Sequence, residues 1–140
     1  MTSPQRPRTV GVRIAEDLRA TIEVLQRDGW SHGAGMHDPD HGHDVTGAIY
    51  VATGYHQQDK DGTWVAHPLH RSAGRRSSEC LRWLLRFVPS RAVWEWNDQA
   101  GSLAEVVDVL ERAATEAAQR LREHRDVCLL YTSPSPRDRG

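Results

Sequence analysis

The chain has 140 residues, 38% hydrophobic and 26% charged, with a formal net charge of −1. Those values fit one globular domain. They argue against a broad electrostatic hold on nucleic acid, which needs a basic face to displace counterions. No run of roughly 18 apolar residues is present to span a bilayer, and the opening MTSPQRPR lacks the apolar centre of a signal peptide, so a cytoplasmic protein is expected. Lys60 is the only lysine among 18 basic residues. A bias so strong toward arginine is what GC-rich codons give, and it is weak evidence of function.

Residues 1–8 carry two prolines and small polar side chains and read as a disordered arm. The first helix is expected over about Val12 to Asp28, where Ile14, Leu18, Ile22 and Leu25 line one face and Gly29 closes the end. Glycines and Pro39 then interrupt the chain from Trp30 to Asp44, which predicts a loop or a short hairpin turning near Asp38, Pro39 and Asp40. Val45, Ala48, Ile49 and Ala52 follow helical spacing, with Asp44 able to cap the start and Gly54 to close the end, so a second helix is expected there. Residues 55–76 are polar and broken, and read as a long connection. A third helix is expected from about Ser78 to Val88, stopped by Pro89.

Val93 to Gly101 reads as a short extended stretch followed by a turn. The last helix then opens with Ser102 and Glu105 in capping-box spacing, and Leu103, Val106, Leu110, Ala113, Ala114, Ala117 and Leu121 trace its apolar face. The expected fold is therefore mainly α: a small single domain, residues 9–127, of about four helices with a short extended or hairpin segment. Beyond it, Cys128 to Asp138 reads CLLYTSPSPRD, and all eleven residues match one reading frame of a transposase-based sequencing adapter. Residues 128–140 are expected to be a non-native tail on a truncated sequence. Cys80 is then the lone cysteine of the domain, with no disulfide or metal motif around it.

Gly29 and Trp30, then Gly47 and Ala48, then Trp96, Asn97 and Asp98 leading into SLAEVVDVLERAA form a pattern across the chain. It resembles the actinobacterial and phage family called domain of unknown function 6197, over about Ile14 to Ala117. That resemblance implies a small helical fold and no particular activity, cofactor or catalytic residue. Family members often carry a cysteine where this chain has Asp44, so thiol chemistry at that place is not expected here.

Candidate chemistry lies in three places. His37, His41 and His43, with Asp38, Asp40 and Asp44, have the ligand types of a zinc-like site; His41 and His43 on a strand would share a face. The competing reading is a solvated turn. Trp94 and Trp96, two apart on an extended segment, would also share a face and, with Trp30, Asn97 and Asp98, form a binding surface; the plainer alternatives are packing for the indoles and turn formation for Asn97 and Asp98. Arg71, Arg75 and Arg76 form a loop cluster suited at most to a phosphate. The expectation is a helical module that binds a protein partner or small ligand without catalysis or cofactor, the alternative being a metal-dependent enzyme built on residues 37–44.

Overall fold

The computed structural model describes residues 9–33, 35–67 and 71–121; the expected arm and tail lie outside them. Among the described residues there are five helices and two small antiparallel hairpins. Helix α1, Val10–Asp28, starts where the Thr9 hydroxyl accepts from the Val12 N–H and ends at Gly29, whose φ of 102° is open to glycine. Its buried face of Ile14, Leu18 and Leu25 packs on α5, Leu103–Arg120, which contributes Val106, Leu110, Ala113, Ala114 and Ala117. The alanines let the two backbones come close. The Gly11 N–H donates to the Leu121 carbonyl at 2.7 Å, and a Cβ on Gly11 would lie 2.0 Å from the Ala117 carbonyl oxygen.

Helix α2, Val45–Ala52, lies under α1 with Val45, Ala48 and Ile49 fully buried. The Asp44 side chain caps it by accepting from the Gly47 N–H at 2.6 Å, and Thr53 ends it. Before it, strands β1, His37–Asp38, and β2, Gly42–His43, form the expected hairpin, with His37 opposite His43. After it, β3, His56–Gln58, pairs with β4, Trp64–Ala66, placing His56 opposite Ala66 and Gln58 opposite Trp64. This second hairpin corrects the reading of residues 55–76 as a mere connection. Its turn is closed by Asp59, whose carboxylate accepts from the Asp61 and Thr63 N–H groups.

Helix α3 is Arg71–Leu84 and begins well before the expected Ser78. Its buried residues are Ala73, Ser77, Glu79, Cys80, Trp83 and Leu84; four of these six are small or polar, so a count of large apolar residues misses the first turns. Arg71, Arg75 and Arg76 are therefore helical, and Arg76 is paired with Asp17 on α1. Nearby, Arg13 reaches the buried Glu79 at 2.6 Å, so α1 and α3 are joined by two ion pairs. The helix ends at Leu84, short of Val88, as the Arg86 and Phe87 N–H groups bond carbonyls three residues back and Pro89 disfavours helix at the residue before it. Trp83 is 2% exposed and donates from its indole to the Ala113 carbonyl at 2.8 Å, tying α3 to α5.

The largest departure is α4, Val93–Gln99, a helix where an extended stretch is expected. Val93, Trp96, Asn97 and Ala100 are buried at i, i+3, i+4 and i+7, and burial of that stripe outweighs the strand preference of Val and Trp. Trp94 and Trp96 consequently point apart: Trp94 is 59% exposed and Trp96 is in the core. The Ser102 cap is formed, its hydroxyl accepting from the Glu105 N–H at 3.2 Å. The Glu105 carboxylate closes the motif one residue early, on the Gly101 N–H at 2.9 Å.

Candidate functional site

The site is built by a clamp that fixes the first hairpin on the helices. Gly42, with φ 110°, lies so near Gly29 that a Cβ would come 2.1 Å from the Gly29 carbonyl oxygen. That approach lets His43 N–H bond Gly29 and Ser31 N–H bond His43, so β2 runs beside Trp30. Asn97, fully buried on α4, holds the arrangement. Its Oδ1 accepts from the Trp30 indole at 2.8 Å and from Val45 N–H at 2.9 Å, while its amide donates to the Ser31 carbonyl at 3.0 Å. Asp98 accepts from the Gly33 N–H at 2.9 Å. Gly47 lets α2 pass under the hairpin, since a Cβ there would be 2.1 Å from the Met36 carbonyl oxygen.

Held this way, four titratable side chains form a row. The Asp28 carboxylate, at the end of α1, is 2.8 Å from His43 Nε2. His43 Nδ1 is 2.9 Å from His37 Nδ1, and His37 Nε2 is 2.7 Å from His56 Nδ1. Trp64 of β4 stacks on His37 at 5.4 Å and meets His43 edge-on at 5.2 Å. Tyr50 and Tyr55 pack against the His56 ring. With Asp28 ionised and the rings neutral, one arrangement of protons satisfies every contact, because each neutral imidazole has one donor and one acceptor nitrogen. His43 donates from Nε2 to Asp28, His37 from Nδ1 to His43, and His56 from Nδ1 to His37.

The electrostatics favour an ionised Asp28 and neutral His37 and His56. Hydrogen bonds from Arg27, and then from His43, hold the Asp28 carboxyl down at about 2 against a cost of burial. Burial, reinforced by the neighbouring His43 and His56, lowers His37 to about 4, and burial lowers His56. Burial raises Asp44, the α2 cap, above the ordinary carboxyl range. Beside the row an open cleft of about 910 Å³ lies between the hairpins, lined by Arg27, Asp28, His37, His43, Asp61 and Trp64 among others.

A family model described as Family of unknown function (DUF6197) matches residues 9–116. The chain belongs to that family. No curated protein and no solved structure matches it. The DUF6197 match takes in the whole row, from Asp28 to Trp64, and the Gly-Trp, Gly-Ala and Trp-Asn-Asp signatures that carry the resemblance.

In this DUF6197 domain the expected site residues divide. Trp30 and Asn97 bond each other, Asp98 ties down the Trp30 loop, and Trp96 fills the core. Trp94 stands apart from them on the exposed side of α4, so the expected common face of Trp94 and Trp96 is corrected. His37 and His43 meet, but His41 sits in the turn, 73% exposed and 2.9 Å from Asp38, and shares no strand face with His43. Among the described residues no group of three or more His, Cys, Asp or Glu side chains could hold one metal ion; His37, His41 and His43 do not converge. Asp28, His56 and Trp64 escaped the sequence reading. Nothing in sequence spacing links positions 28, 37, 43 and 56, and the strands His56–Gln58 and Trp64–Ala66, three residues each, are too short to show apolar and polar alternation.

Proposed function

We propose that this DUF6197 domain binds a small polar molecule in the cleft between its two hairpins. The cleft itself carries the reading. It has the volume of an ordinary small-molecule site, and it gathers a guanidinium, carboxylates, an amide, a hydroxyl and an indole, from Arg27, Asp28, Asp61, Gln58, Thr63 and Trp64. Cys80, a free buried thiol, suits the reducing cytoplasm in which we place it, and no helix among the described residues is long and apolar enough to cross a membrane. Trp94 favours a protein partner as the second reading, because an exposed indole is a common interface anchor.

The test is a ligand-observed and amide-detected NMR screen of small cationic, anionic and polyhydroxylated compounds. Binders are expected to shift Arg27, Asp61 and Thr63, and Asp61→Asn on the cleft rim should weaken them with unchanged folding. Trp94→Ala should leave them bound. Compounds that shift only α4, or a screen that leaves the cleft resonances unmoved, would overturn the reading.

A further inference from the structure

We propose that Asp28, His43, His37 and His56 form a one-directional proton relay that makes His56 Nε2 a general base toward an O–H or N–H donor on a small molecule. The proposal goes beyond ligand binding in the cleft and does not depend on it. It rests on three consecutive contacts of 2.8, 2.9 and 2.7 Å that use both nitrogens of His43 and of His37 and end on one nitrogen of His56. His56 Nε2 is left as the lone pair at the far end, on a half-buried ring, with no hydrogen-bond partner among the described residues.

The step balances within the chain. The donor's proton passes to the His56 Nε2 lone pair, and the bonding electrons remain on the donor. His56 releases its Nδ1 proton to His37 Nε2, and His37 releases its Nδ1 proton to His43 Nδ1. His43 ends as an imidazolium with its Nε2–H still facing the Asp28 carboxylate. Charge taken up at His56 is therefore delivered to a position 2.8 Å from an anion, and a neighbouring carboxylate supports an imidazole base in this way. His37, desolvated between two rings, is the conduit rather than the resting place. The other groups facing the row modulate it: Arg27⁺ shares Asp28, Asp44 lies next to His43, and Tyr50 and Tyr55 are neutral walls around His56.

Nitrogen-15 histidine spectra of the full chain at pH 7.5 test the direction of the relay. His37 and His56 should carry their proton on Nδ1 and His43 on Nε2. Diethyl pyrocarbonate, read by peptide mass spectrometry, tests reactivity. The His56 Nε2 lone pair forms a bond to the carbonyl carbon, the ethyl carbonate group leaves with its electron pair, and the Nδ1 proton moves to His37. Asp28→Asn should slow this at His56 by about threefold, as for a loss of about one pKa unit in a charge-supported base whose nucleophilicity falls less steeply than its basicity. The exposed His41, off the row, should react at an unchanged rate, which separates relay from general loosening. A His56 protonated on Nε2, or equal His56 rates in both proteins, would overturn the proposal. So would zinc titration that shifts the facing nitrogens of His37 and His43 together. Should Asp28→Asn not fold, the tautomers of the unmodified chain decide alone.

Discussion

Asn97 shows how much one side chain can fix. Its three hydrogen bonds, two of them fully buried, reach Trp30, Val45 and Ser31, on two separate stretches of chain. Asn97→Ala would strand a buried amide N–H and a carbonyl, each costing about 1–3 kcal/mol. A loss of about 3 kcal/mol or more in urea unfolding is expected. Asp98→Ala, next in sequence but exposed, frees only the Gly33 N–H to water and should cost under about 1 kcal/mol. Ser102→Ala should cost about 0.5–2 kcal/mol and Glu105→Ala less. Because both serve one helix start, the double variant should lose less than the sum, and strict additivity would separate the two bonds.

Between elements, the α1–α5 crossing depends on an absent side chain. An alanine in a helix normally gains about 1 kcal/mol over glycine. At Gly11 the new Cβ would lie 2.0 Å from the Ala117 carbonyl oxygen and 2.3 Å from that of Leu121, and backbone atoms cannot swing aside as a side chain can. Gly11→Ala should therefore reverse the propensity and destabilise by about 1–3 kcal/mol. Gly74→Ala on α3 meets only the edge of the half-buried Tyr55 ring at 3.1 Å, a side chain that can give by a few tenths of an ångström where backbone cannot, and should stay within about 1 kcal/mol of the parent. Thermal or urea unfolding of the two variants checks the contrast. Equal effects would mean that α1 and α5 are not so closely packed.

For the molecule as a whole, the row of imidazoles makes stability depend on pH. Burial lowers His37 to about 4 from an ordinary 6.5. Between those values the unfolded chain binds a proton that the folded chain refuses, so stability falls as pH falls. Its contribution is complete above about 6.5 and is lost as pH drops through the folded value. Asp28, held at about 2 against an ordinary 3.8, adds a second loss below 3.8 as its carboxylate is protonated. The urea midpoint should therefore drop between pH 7.5 and 4.5, and His37→Gln should flatten that drop while leaving the loss below pH 3.8. A midpoint that does not move over the upper range would show that His37 is not held neutral in the fold.

Caps and stripes made α1, α2 and α5 legible from the sequence, and Pro39 between His37 and His43 made the first hairpin so, because helix periodicity, capping and turn chemistry act over a few residues. The Trp-Asn-Asp signature was legible as a pattern and identified the family, but not as a clamp, since the partners of Asn97 lie at Trp30, Ser31 and Val45. Tertiary packing alone decided that Val93–Gln99 is helical, because a stripe that includes a polar Asn reads as apolar only once its hydrogen bonds are known. It also decided which histidines meet. His41 is two residues from His43 and turns away; His56 is thirteen away and completes the row. Chain separation limits which residues can be neighbours along an element, whereas contacts between hairpins depend on the glycine approaches and buried hydrogen bonds that dock each hairpin on the helices.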